Sequence, residues 1–117
     1  MKLRSAQVAV LVAMFTLSAT ASANYLGNRE PRSIFGAGVI KFGVDNPPDD
    51  TCDYHNRTFK FDGTTERGKN ILSILLAAKM AGKNVNIWYS PSSKPGTSAS
   101  TGCTINDMAI INEIGIN

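Results

Sequence analysis

Residues 81–91 read AGKNVNIWYSP. A helix-favouring run ends at Gly82, an alternating stretch starts within three residues, and two aromatics stand side by side at its end. Period two puts Val85, Ile87 and Tyr89 on one strand face and Asn86 and Trp88 on the other. With the aliphatic face turned to a core, Trp88 points outward. Tyr89 ends the strand, where its hydroxyl is expected to reach water.

Working back from Gly82, the run ILSILLAAKMA has helical spacing in Ile71, Leu72, Leu75 and Leu76. Thr64 or Thr65 is placed to cap it, Glu66 suits the positive helix end, and Gly82 is a suitable left-handed terminator. Ile74, Ala77, Ala78 and Ala81 widen the apolar sector. The helix is therefore expected to bury two sides, one on a sheet and one on a second subunit. Before it, RTFKFD at 57–62 alternates as a half-buried strand, and DNPPDDTCDYHN at 45–56 is a turn region. The glycine-rich IFGAGVIKFGV at 34–44 predicts one strongly bent strand, because glycine in a strand marks a bend or a close approach. Residues 24–33, NYLGNREPRS, predict an extended arm.

Beyond the opening stretch, SPSSKPGTSASTG at 90–102 is a loop by composition. MAIINEIGI at 108–116 predicts a closing strand, with Ile110, Asn112, Ile114 and Ile116 on one face and Ile111, Glu113 and Gly115 on the other. Four strand signals with one helix between the second and third imply an α+β, mostly β domain or a small barrel capped by a helix.

The N-terminal MKLRSAQVAVLVAMFTLSATASA has Lys2 and Arg4, an apolar run, and Ala21-Ser22-Ala23. This predicts a signal peptide over residues 1–23, with a single binding domain over 24–117 and a periplasmic or secreted location. The apolar run is too short for a membrane span, and no later segment is long enough either. Removing that segment takes two of twelve basic residues and none of nine acidic ones, leaving ten against nine, a formal charge of +1. The remaining Lys and Arg are scattered rather than clustered, which argues against a nucleic-acid partner. Cys52 and Cys103, the only cysteines, predict one disulfide in an oxidising compartment. It closes a loop that stabilises by roughly 4 kcal/mol on chain-entropy reasoning.

Catalytic patterns are weak. His55 is the single histidine, in a turn with Asp49, Asp50 and Asp53, a composition typical of solvated loops. Without a second histidine no common metal-ligand set is complete, and no metal or other cofactor is expected. GTSAS at 96–100 lacks the nucleophile-elbow form, and no phosphate loop precedes a helix. Asp107 and Glu113 lie six apart in or near the last strand and do not form a glycosidase pair from sequence alone. No enzymatic activity is expected. Asn56-Arg57-Thr58 fits a glycosylation sequon, a pattern common by chance. The Trp88–Tyr89 pair beside a Ser/Thr-rich loop suits either stacking on a sugar or packing in a protein interface.

The F-x-x-x-V-I of residues 35–40, the Cys-bearing turn, the A-x-x-x-G-K-x-V-x-I-W-Y of residues 78–89 and the late Gly102-Cys103-Thr104 together resemble the binding subunits of the subtilase-cytotoxin and typhoid-toxin group. The resemblance implies a small OB-fold-like (oligonucleotide/oligosaccharide-binding) antiparallel barrel. It also implies a pentameric homo-oligomer, a sialylated glycan as ligand, and a catalytic A subunit as partner. The family's glycan-contacting tyrosine falls on Tyr89, with Trp88 beside it. Its glycan-contacting serine falls on Gly36, which has no hydroxyl, with Ser33 nearby as the alternative. The family's second disulfide is absent, and the loop after the strand differs. The rival expectation is an envelope protein with a structural or protein-contact role and no glycan site.

Overall fold

The computed structural model describes residues 24–97 and 101–116; the expected signal peptide and part of the serine-rich loop lie outside the described residues. The elements are β1 (Asn24–Arg29), β2 (Pro31–Gly36), β3 (Val39–Val44), β4 (Phe59–Asp62), α1 (Glu66–Ala81), β5 (Val85–Ser90), a 3-10 turn (Ile105–Asp107) and β6 (Ala109–Ile116).

The strands form one sheet in the order β1-β5-β6-β4-β3-β2. Its two outer strands, β1 and β2, are consecutive in the chain and separated by Glu30 alone. The opposite edges of the sheet are thus the two halves of one bent run, and the sheet curls into a small barrel. Asp45 holds the bend: its Oδ1 accepts from the Glu30 amide at 2.6 Å, and its own amide donates to the Glu30 carbonyl at 3.3 Å. With the helix between the third and fourth segments of the barrel, this is the expected OB-like architecture.

Three expectations are corrected. The 24–33 segment is strand rather than arm, because Leu26 and Pro31 turn into the core while their neighbours face out. The 34–44 segment is a hairpin rather than one bent strand: Gly36 pairs with Ile40, and the chain reverses at Ala37 and Gly38. The barrel is not wholly antiparallel. β4 pairs with β6 in parallel, a register made possible because α1 and β5 intervene between them and carry the chain back to the starting end.

The helix limits follow the sequence. Thr65 Oγ1 accepts from the Gly68 amide at 3.0 Å. Gly82 is left-handed at φ 66°, and the Lys83 amide closes back on the Ala78 carbonyl at 2.9 Å, the six-to-one bond of a Schellman stop. Ile71, Leu75 and Ala78 seal the barrel end. At Gly68 the helix start meets β4 so closely that a Cβ would lie 1.7 Å from the Asp62 carbonyl oxygen. The helix buries one side only. Leu72 is half-buried, Leu76 is exposed, and Met80 is 88% exposed.

The barrel interior is filled by Phe42, Phe59, Phe61, Val85, Ile87, Ile111 and Ile114, among others. A second cluster under the long loops contains the bonded Cys52–Cys103 pair, Met108, Tyr54 and Ile105. The disulfide joins positions 51 residues apart, as the sequence predicted. No helix among the described residues is long and apolar enough to cross a membrane.

Candidate functional site: an outward aromatic pair

β5 alternates as expected: Val85, Ile87 and Tyr89 are buried, and Trp88 is 36% exposed. What the sequence did not reveal is Trp88's neighbour. β1 lies antiparallel to β5 with Tyr25 directly opposite Trp88. The two rings stand 4.7 Å apart between centroids at a 50° tilt, within the range of favourable aromatic pairing. Tyr25 remains 56% exposed. Its ring leans over Gly27, where an added Cβ would come within 2.9 Å of the tyrosine hydroxyl oxygen. Glycine at 27 thus lets Tyr25 lie down along the sheet as a flat surface rather than stand clear of it.

Polar groups surround this shelf. Glu113 of β6 is opposite Trp88, and Asn86 lies two residues before it on the same face, opposite Gly115. Asn86 Oδ1 accepts from the Asn28 amide at 3.0 Å. Further along, Asn112 Nδ2 donates to Ser90 Oγ at 3.1 Å. The shelf therefore pairs an exposed aromatic surface with amide, hydroxyl and carboxylate groups.

Asn112 is placed there by a bulge. Trp88 pairs with Glu113, but Tyr89 pairs with Ile111, so Asn112 is the extra residue on β6. The bulge shifts the alternation by one, which corrects the expected faces: Ile111 and Ile114 are both buried, while Ile110 is exposed. An inserted residue of this kind re-aims the side chains on either side of it.

Of the three expected glycan contacts, Trp88 lies on the shelf and the other two do not. Tyr89 is 3% exposed, with its ring against Phe59 at 5.1 Å. Its hydroxyl donates to Asp50 Oδ1 at 2.7 Å, and the other Asp50 oxygen accepts from the Asn24 amide group. Burial, with the hydrogen bond and charge of Asp50, pushes the Tyr89 hydroxyl up to about 12. Tyr89 thus anchors β5 to the 45–56 turn region and does not reach water as expected. Ser33 is exposed on β2 and lines a small recess with Arg32, Asn46, Asp53 and Asn56. It lies eight positions from Tyr25 along the bent β1–β2 run.

The weak catalytic candidates are in structural positions. His55 and Asn56, at φ 51° and 63°, are the central pair of a tight hairpin closed by reciprocal backbone bonds between Tyr54 and Arg57. Asp53 accepts from the Thr58 hydroxyl at 3.2 Å. Asp107 Oδ2 accepts from the Thr104 amide at 3.0 Å and hydroxyl at 2.9 Å, which hold its carboxyl below the usual aspartate range. Among the described residues no group of three or more His, Cys, Asp and Glu side chains could hold a metal ion.

Compared with known proteins, the chain matches no family model, no curated protein and no solved structure.

Proposed function

We propose that this domain is a non-catalytic binding module of the periplasm or cell exterior, and that the Tyr25–Trp88 shelf takes up a sugar ring of a glycan. The observation that carries this reading is the exposed aromatic pair itself. Two tilted rings, that of Tyr25 lying over Gly27, bordered by Glu113, Asn86, Ser90 and Asn112, offer an apolar surface for the C–H side of a pyranose and polar groups for its hydroxyls. The resemblance to toxin binding subunits supports the same reading. A shelf this shallow binds weakly on its own, so a ring of copies, five in the subunits it resembles, would supply the avidity.

A glycan array probed with the oxidised protein and with Trp88→Ala and Tyr25→Ala tests the proposal. Loss of glycan signal in both variants, with unchanged thermal unfolding, supports the shelf. Glycan binding that survives Trp88→Ala refutes it. Native mass by light scattering tests the ring separately.

A second reading, a protein-contact role, is favoured by the exposed Leu76 and Met80 on α1. It predicts no glycan signal and an assembly weakened by Leu76→Lys.

A further inference from the structure

The strand registers place a second set of outward residues in one row across the barrel. Phe35 is opposite Lys41, Lys41 opposite Lys60, Lys60 opposite Ile110, and Ile110 opposite Ser90. Lys41 and Lys60 are thus direct cross-strand neighbours in an antiparallel pair. Two like charges in that position repel and destabilise the pairing. Nothing in the fold of β3 and β4 requires lysine at either place, since the core is made by Ile40, Phe42, Phe59 and Phe61 on the opposite face.

Both lysines are half-buried rather than extended into solvent. They line an open groove of about 430 Å³ with Val39, Phe61, Asp62, Ile105, Asn106 and Ile110, a size within the range of small-molecule sites. Val39 and Ile110 are exposed hydrophobics, so the groove has an apolar wall beside a polar floor of two lysines and one aspartate.

The nearby acids keep their charge and are hydrogen-bonded to threonines rather than paired with either lysine. Asp62 Oδ1 accepts from both the amide and the hydroxyl of Thr64, at 2.9 and 2.6 Å. Asp107 feels the charges of Lys94 and Lys60 but is held by Thr104. Lys60 Nζ donates to the Asn106 carbonyl at 2.7 Å, a neutral partner. Among the described residues the one ion pair is Lys69–Glu66, and neither groove lysine takes part in one. Two lysines in one row against a single lining carboxylate leave the groove net cationic, and beside its apolar wall this is complementary to a molecule that is anionic at one end and hydrocarbon along its body.

We infer that this groove is a binding site for a small amphipathic organic anion, with its carboxylate or sulfate between Lys41 and Lys60 and its apolar body against Val39, Ile105 and Ile110. The site is independent of the aromatic shelf and of any glycan bound there.

The test uses decanoate as probe, with decanol as the uncharged control, followed by calorimetry and by the methyl NMR signals of Val39, Ile105 and Ile110. Methionine keeps the length and apolar stem of lysine while removing its charge. Lys41→Met and Lys60→Met are each expected to weaken decanoate by about tenfold, the loss of one charge-assisted contact, and to leave decanol unchanged. Trp88→Ala should bind decanoate like the parent. The inference is overturned if decanoate does not bind or binds no better than decanol. It is equally overturned if both lysine variants bind decanoate unchanged. Co-sedimentation with phosphatidylglycerol vesicles that vanishes in the double variant would assign the groove to a membrane surface and overturn the free-ligand assignment.

Discussion

Replacing Tyr89 with Phe removes one oxygen atom and separates an anchoring role for this tyrosine from a ligand-contacting one. The hydroxyl donates to the Asp50 carboxylate at 2.7 Å from a ring that is 3% exposed. A hydrogen bond to a charged group contributes about 1.5–3 kcal/mol. Asp50 is half-buried and keeps its contact with Asn24, so it can regain water, which puts the loss at the lower end, about 1.5 kcal/mol. At roughly 4–8 °C per kcal/mol for a domain of this size, the melting temperature should fall by about 6–12 °C at pH 7. The alkaline limb supplies a second, independent readout. An unfolded tyrosine ionises near pH 10, whereas Tyr89 is pushed up to about 12 in the fold. A folded value above the unfolded one means that the stability is fully present below about pH 10. It is lost as pH rises through 12, at about 1.4 kcal/mol per pH step between them. Tyr89→Phe should flatten that part of the profile. Chemical denaturation of the oxidised protein at pH 7, 9 and 11 measures both effects. A variant as stable as the parent at pH 7, with an unchanged alkaline slope, would refute the anchoring role. Loss of glycan binding in a fully stable variant would instead restore Tyr89 as a contact.

The packing and capping statements can be checked in the same assay. Gly68→Ala forces a methyl onto the Asp62 carbonyl and should destabilise by about 2–3 kcal/mol, a sign opposite to that expected for alanine at an ordinary helical glycine. Leu75→Ala, at a fully buried barrel plug, should cost about 3–4 kcal/mol, read as a fall in denaturant midpoint. The Cys52→Ala, Cys103→Ala double variant should lose about 4 kcal/mol from the opened loop, with the cluster around Met108 loosening first in hydrogen exchange. Asp107 is held by Thr104 below its ordinary value, so its contribution is present above the usual aspartate range and fades as pH falls through the lowered value. NMR titration should find its midpoint returned toward normal in Thr104→Val, and an unshifted parent carboxyl would contradict the capping geometry.

How much of this was legible beforehand depended on the range of the interactions. The helix from Thr65 to Gly82 and the inward and outward faces of Val85 to Ser90 are set by local chemistry: a hydroxyl at the cap, a glycine at the stop, and a side-chain period that any neighbour must respect. The chance of a Cys52–Cys103 bond was also readable, since only two cysteines exist. The glycine-rich 34–44 run was misread because glycines permit a reversal as readily as a bend, and only the pairing of Gly36 with Ile40 decides between them. The misassigned faces of the last strand have a similar cause, since the Asn112 bulge exists only relative to β5.

The sequence by itself determined the single helix, the core face of β5 and the outward aim of Trp88, because each depends on residues within a turn or two of chain. Tertiary structure alone decided which residues meet. It closed the barrel through Glu30, set β4 parallel to β6, turned Tyr89 from an expected contact into a buried anchor, and laid Tyr25 beside Trp88 from 63 positions away. Contacts over such separations are selected by sheet register, and register is fixed when the whole apolar face is buried at once.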